Sequence, residues 1–86
     1  MRIIASLRFK KAYEKLPSQI QEQVDNKLLL LERNPQHPSL RVKKIVGTAG
    51  IWEASITMKY RITFEMSKDL IVLRVIAGHD KALKKP

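Results

Sequence analysis

Apolar residues follow two different rhythms on either side of residue 39. In the first part, Phe9, Ala12, Tyr13 and Leu16 recur at i, i+3, i+4 and i+7, while Lys10, Lys11, Glu14 and Lys15 take the opposite face. That spacing predicts an amphipathic helix, and Pro17 interrupts it. Ser18 with Gln21 three residues on has the form of a capping box, opening a second helix whose stripe is Ile20, Val24, Leu28 and Leu31. Asn34-Pro35 ends that stripe. Two helices joined by a tight break form an α-hairpin. Ahead of them, residues 2 to 6 read as a brief strand because Ile3 and Ile4 place β-branched side chains side by side.

After residue 39 the pattern alternates. Strands are predicted near Val42–Val46, Ile51–Ile56, Tyr60–Met66 and Leu70–Ala77, with Gly47-Thr48-Ala49-Gly50, Thr57-Met58-Lys59 and Ser67-Lys68-Asp69 as connections. This is an antiparallel meander. A three-residue turn at Thr57-Met58-Lys59 matches Trp52, Ala54 and Ile56 with Tyr60, Ile62 and Phe64 on one face, which the helices then cover. Leu70–Ala77 is apolar on both faces except at Arg74, as a central strand is. The fold class is α+β, an N-terminal α-hairpin packed on a twisted antiparallel sheet.

Length agrees with a single domain over residues 1–86. A chain of this size buries roughly 60–65% of its unfolded surface, enough for one core and no second lobe. The absence of cysteine excludes a disulfide framework, a thiolate zinc site and a cysteine nucleophile. His37 and His79 are too few and too far apart to suggest a metal centre. The longest apolar run, Leu28 to Leu31, is far short of the roughly 20 residues that cross a bilayer, and the N-terminus lacks a signal-peptide pattern. A soluble cytoplasmic protein is expected.

Charge narrows the choice of partner. There are 17 Lys and Arg against 8 Asp and Glu, a formal net charge of +9. Residues 1–38 carry seven basic and four acidic groups, residues 39–86 ten and four. An anionic partner is implied: nucleic acid, an acidic protein segment or an anionic membrane surface. The second half is the expected contact surface.

The meander's other face carries the candidate chemistry. The register that buries Trp52 and Phe64 places Glu53, Ser55, Arg61, Thr63 and Glu65 on the opposite side. A two-residue turn at Ser67-Lys68 sets Arg61 directly opposite Arg74, a repulsive pair that a bound anion relieves. Guanidinium grips phosphate bidentately, which points to a phosphate site. A three-residue turn separates the two arginines instead, and Glu53 or Glu65 then pairs with one of them. Arg41, Lys43 and Lys44 add a basic run, which also suits a short edge strand that resists aggregation. Gly78-His79-Asp80 follows the last strand, where His79 is placed to move a proton near neutral pH or merely to cap the surface. His37, in the joint between prolines, reads as structural, and Trp52, Tyr60 and Phe64 read as packing. The tail from Lys81 to Pro86 either closes a groove or solvates the terminus.

The order of two helices and a meander, with Tyr60-Arg61-Ile62-Thr63-Phe64 on the third meander strand, resembles the RelE/ParE family of toxins from type II toxin–antitoxin pairs. So do Arg74-Val75-Ile76-Ala77-Gly78-His79-Asp80 closing the fourth strand and the His37-Pro38-Ser39-Leu40 joint before a Lys-rich strand. The likeness covers nearly the whole chain. It implies an acidic antitoxin that wraps the toxin in a hetero-oligomer and, in the RelE branch, cleavage of mRNA in the ribosomal A site. Arg61 falls on the arginine that RelE-like nucleases use to stabilise the scissile phosphate, and His79 near a C-terminal histidine or basic residue used as acid or base. Two lysines of the RelE branch align with Glu53 and Ser55, and no tyrosine follows Tyr60.

The resemblance therefore implies one of two activities. As a ribosome-dependent mRNA endonuclease, the chain would use the RNA's 2′-hydroxyl as nucleophile, Arg61 to neutralise the transition state, His79 as general acid, and Glu53 or Asp80 as base. Arg41, Lys43, Lys44, Arg74 and Lys81 would bind RNA, with no metal or cofactor and no membrane involved. As a ParE-like toxin it would inhibit DNA gyrase with no catalysis of its own. A plain basic RNA-binding domain is a third possibility.

Overall fold

The computed structural model describes residues 1–86, and its core lies between a helical layer and one face of a five-stranded sheet. Strand β1 (Arg2–Ala5) leads directly into helix α1 (Leu7–Glu14). Ser6 makes that transition, its Oγ accepting the Phe9 N–H at 3.1 Å and donating to the Arg74 carbonyl at 3.2 Å. Helix α2 (Ser18–Arg33) follows after Pro17, which is itself the cap. The predicted capping box does not form. Ser18 already lies inside the helix, and the Gln21 amide donates instead to the Tyr13 carbonyl at 2.9 Å, tying α2 to the end of α1.

A short 3-10 turn (Pro38–Leu40) follows, with the His37 Nδ1 accepting the Ser39 N–H at 3.2 Å. The His37 ring thus caps the turn it opens. Leu40 is fully buried, anchoring this joint to the core. Only Lys43–Lys44 of the predicted Val42–Val46 strand pairs, as β2. Immediately before Val42, Arg41 is left-handed at φ 48°, so the extended chain starts only after that residue. Strands β3 (Ile51–Ser55), β4 (Tyr60–Met66) and β5 (Leu70–Gly78) complete the meander, and helix α3 (His79–Lys84) closes the chain. Gly47 and Gly50, at φ of 84° and 80°, make the turn between β2 and β3.

The sheet order is β1-β5-β4-β3-β2. Every neighbour is antiparallel except β1, which runs parallel to β5 in the register Ile3↔Ile71 and Ala5↔Leu73. Strand β5 is thus internal, as its two-sided apolarity predicts. The β3–β4 register is also as predicted, Trp52↔Phe64 and Ala54↔Ile62. From that face Ala54, Ile56, Ile62 and Phe64 pack with Phe9 of α1 and Val24 and Leu31 of α2. Trp52 and Tyr60 sit at the margin of the same cluster.

The β4–β5 hairpin takes the second of the two predicted alternatives, in which a three-residue connection separates Arg61 from Arg74 and Glu65 pairs with one of them. Its connection is Ser67-Lys68-Asp69, and the ladder shifts from Phe64↔Leu73 to Thr63↔Val75, leaving Arg74 unpaired in a bulge. Arg61 consequently faces Ala77, not Arg74. The sheet's second face is less open than its polarity suggests. Glu53, Thr63 and Val75 line up across three strands and are buried. Helix α3 packs on β4 and β5 with Ala82 fully buried, and the Thr63 hydroxyl donates to the Pro86 carbonyl at 2.9 Å.

Candidate functional site

Arg61 enters β4 one residue after the three-residue turn, so its side chain lies beside the backbone it has just left. Its Nη1 donates to the Thr57 carbonyl, to Met58 at 3.2 Å and to Tyr60 at 3.1 Å. One guanidinium nitrogen therefore anchors the group to the turn. Nε and Nη2 make no protein hydrogen bond, and this free edge is the pair of donors a phosphate accepts side-on.

His79 reaches the same turn from β5. Its backbone N–H donates to the Lys59 carbonyl at 2.9 Å, extending the hairpin by one pair and starting α3 there. Arg61 and His79 consequently line one shallow depression with Lys59, Asp80 and Lys81. The His79 Nδ1 stands 3.3 Å from an Asp80 carboxylate oxygen, and the imidazole is half-exposed. A second depression on the other side of Arg61 is lined by Arg41, Ser39, Ser55 and Thr57. Arg61 borders both, with Arg41 on one side and Lys81 on the other. Lys59 belongs to this group too. Charge counting does not single it out, and only the turn geometry brings it in.

Several candidate residues lie elsewhere. The Glu53 side chain is 5% exposed, lines neither depression and pairs with Lys43 at 3.9 Å. Lys43 itself remains largely exposed. Lys44 sits over the Trp52 ring, 5.9 Å from its centroid, beside the core face. Arg74 donates Nη1 to Glu65 and Nε to the Pro86 carbonyl, each at 2.9 Å. The geometry thus brings Arg61, His79, Asp80, Lys81 and Arg41 around one turn, and leaves Glu53, Lys43, Lys44 and Arg74 in contacts of their own.

Comparison with known proteins places the fold. The family model for the ParE toxin of type II toxin–antitoxin system, parDE, matches residues 3–82. The chain belongs to the ParE toxin family. Its fold is shared by the YoeB/ParE toxin from Agrobacterium tumefaciens, with a TM-score of 0.78 at 19% identity over 92% of this chain and 99% of that one. RelE in the RelB–RelE antitoxin–toxin complex from Methanococcus jannaschii superposes with a TM-score of 0.76 at 19% identity, covering 96% of this chain and 99% of that one. YafQ from E. coli strain BL21(DE3) gives 0.78 at 14% identity, covering 94% and 97%. No curated protein matches by sequence. The toxin's mixed sheet and three helices are the architecture of these structures, and its core residues are the ones that build it.

Proposed function

We propose that this toxin is a ribosome-dependent mRNA endonuclease that works through the Arg61–His79 depression. In the proposed step the 2′-hydroxyl of the RNA attacks the adjacent phosphorus and displaces the 5′-oxygen, leaving a 2′,3′-cyclic phosphate. Asp80 takes the hydroxyl proton, and the His79 imidazolium gives a proton to the departing 5′-oxygen. The free edge of Arg61 holds the two non-bridging oxygens as negative charge builds on them. Glu53 has no part in this scheme because its carboxylate is buried against Lys43. Support comes from one contact above all, the 2.9 Å bond from the His79 N–H to the Lys59 carbonyl, which sets an imidazole beside an anchored arginine. An acidic antitoxin is the expected partner, since a toxin of net charge +9 attracts such a segment and several structurally similar toxins were solved with an antitoxin.

Primer extension on programmed ribosomes tests this reading. Wild-type toxin should cut mRNA in the A site, and Arg61→Ala and His79→Ala should not, with unchanged circular dichroism. The family match favours a second reading, inhibition of DNA gyrase. Loss of supercoiling activity in a gyrase assay, with intact mRNA on the ribosome, would replace the first reading by the second.

A further inference from the structure

A second basic feature lies outside that depression. Helix α1 and the C-terminal helix α3 flank a groove along the end of β5, and the groove walls carry Arg8, Lys11, Lys15, Lys81, Lys84 and Lys85 with no acidic side chain among them. Along α1 and its C-cap the cations Arg8, Lys11 and Lys15 recur at i, i+3 and i+7, which places them on one face. Lys81 and Lys84 repeat the i, i+3 spacing on α3. At one end the Arg8 Nη2 donates to the Lys85 carbonyl at 2.7 Å, tying the start of α1 to the end of α3. The floor is made by small or inward-pointing residues: Ala12, Ala77, Val75 at 5% exposure and Ile76 at 2%.

The walls carry six cations and no carboxylate above an apolar floor, so charge complementarity selects an anionic partner. The repeated spacing of the cations suits the repeating charge of a phosphate backbone. The groove also adjoins the Arg61–His79 depression, since Lys81 lines both.

We infer that the α1–α3 groove is a track for the backbone of single-stranded RNA, holding the nucleotides that flank the phosphodiester bound between Arg61 and His79. This rests on the nucleic-acid reading of that depression, but adds a separate surface with its own signature. Each lysine on the track contributes affinity without base preference, and each adds about 0.7 to the slope of log affinity against log salt.

Fluorescence anisotropy with labelled single-stranded RNA of 3 and of 12 nucleotides tests the inference. The variant Lys11→Gln/Lys15→Gln/Lys84→Gln should bind the 12-mer on the order of tenfold more weakly and lower its salt slope by about 2, while hardly changing the 3-mer. Lys10→Gln/Lys27→Gln/Lys68→Gln removes the same charge elsewhere and should change the 12-mer far less. Arg61→Ala should weaken both oligonucleotides. Equal losses in the two triple variants would reduce the track to non-specific attraction and overturn the inference. So would an unchanged 12-mer affinity in the groove variant, including the case in which an acidic peptide, poly-Glu, instead loses its binding. Failure of the nuclease reading looks different: ribosomal mRNA stays intact with the wild-type toxin, whatever the anisotropy of the groove variant.

Discussion

Arg74 reaches Glu65 at 2.9 Å from inside a β-bulge, and the bulge decides which arginine stays available. In an unbroken ladder the two arginines of the β4–β5 hairpin come closer in register. With one extra residue on β5, Arg74 turns toward Glu65 and the Pro86 carbonyl, and Arg61 is left opposite Ala77 with a free guanidinium edge. Growth inhibition should follow this division. Arg61→Gln is expected to abolish toxicity on induced expression, while Arg74→Gln, whose charge is already neutralised, should retain most of it. Equal loss from the two substitutions, with both proteins folded, would contradict the division.

The tail is held by the same region. Thr63 is fully buried on the second face of the sheet, and its hydroxyl shares the Pro86 carbonyl with the Arg74 Nε. Thr63→Val preserves shape and removes the donor. A loss of about 1 kcal/mol is expected in urea unfolding, accompanied by faster proteolysis near Lys84 and Lys85.

Much of this fold is readable from residue pattern alone, for reasons that are local. Thr57-Met58-Lys59 is a turn between two alternating runs, and alternation with a turn length determines a hairpin register. Arg61 becomes a candidate through the same logic. The bulge at Arg74 shifts the ladder by one residue between Thr63 and Phe64, and no hairpin rule based on turn length supplies such a shift. Parallel pairing of β1 with β5 joins segments far apart in the chain, so Ile3 and Ile4 announce a strand without naming its neighbour. Helix α3 has one buried anchor, Ala82, and four exposed or charged neighbours, too little periodicity to distinguish it from a tail. Glu53 misleads for a related reason: its face is closed by Thr63 and Lys43.

Core packing gives a sharper test of the architecture. Phe64 is fully buried at the meeting of β4 with both N-terminal helices, in contact range of the Phe9, Val24 and Leu31 cluster. Phe64→Ala should cost about 3–5 kcal/mol, a large share of the roughly 5–15 kcal/mol available to a small domain. Ile62→Val, also at a fully buried position, should cost about 0.5–1.5 kcal/mol. Chemical denaturation should place the two midpoints in that order.

Alkaline pH should weaken the α-hairpin through one hydroxyl. Tyr13 donates to an Asp25 carboxylate oxygen at 2.7 Å, and that hydrogen bond, with some desolvation and the carboxylate's charge, raises the phenol above its ordinary value of 10. A group whose folded pKa is raised contributes stability in full below its unfolded pKa and loses it as pH climbs through the folded one. Stability attributable to Tyr13 should therefore be constant up to about pH 9 and decline above 10. Comparing wild type with Tyr13→Phe isolates this from lysine titration. Their difference in unfolding midpoint should shrink between pH 9 and 11, and a constant difference would exclude the hydroxyl as its source.

Strain and chemistry meet at Arg41. Its backbone is left-handed, at φ 48°, which costs a residue with a Cβ roughly 1–2 kcal/mol relative to its ordinary conformations, and asparagine tolerates the region better. The conformation is imposed by the 3-10 turn, where the Arg41 N–H donates to the Pro38 carbonyl at 3.2 Å. Nothing in packing requires arginine here, since the side chain is exposed and makes no ion pair. It does line the depression on the Ser55 side of Arg61. Arg41→Asn is accordingly expected to hold or raise the unfolding midpoint while weakening RNA affinity several-fold and lowering the salt slope by about 0.7. Arg41→Gly should match the loss of affinity, because both variants lack the charge. Wild-type RNA affinity in either variant would place Arg41 outside the interface, and a lower unfolding midpoint for Arg41→Asn would show that the arginine side chain itself stabilises the joint.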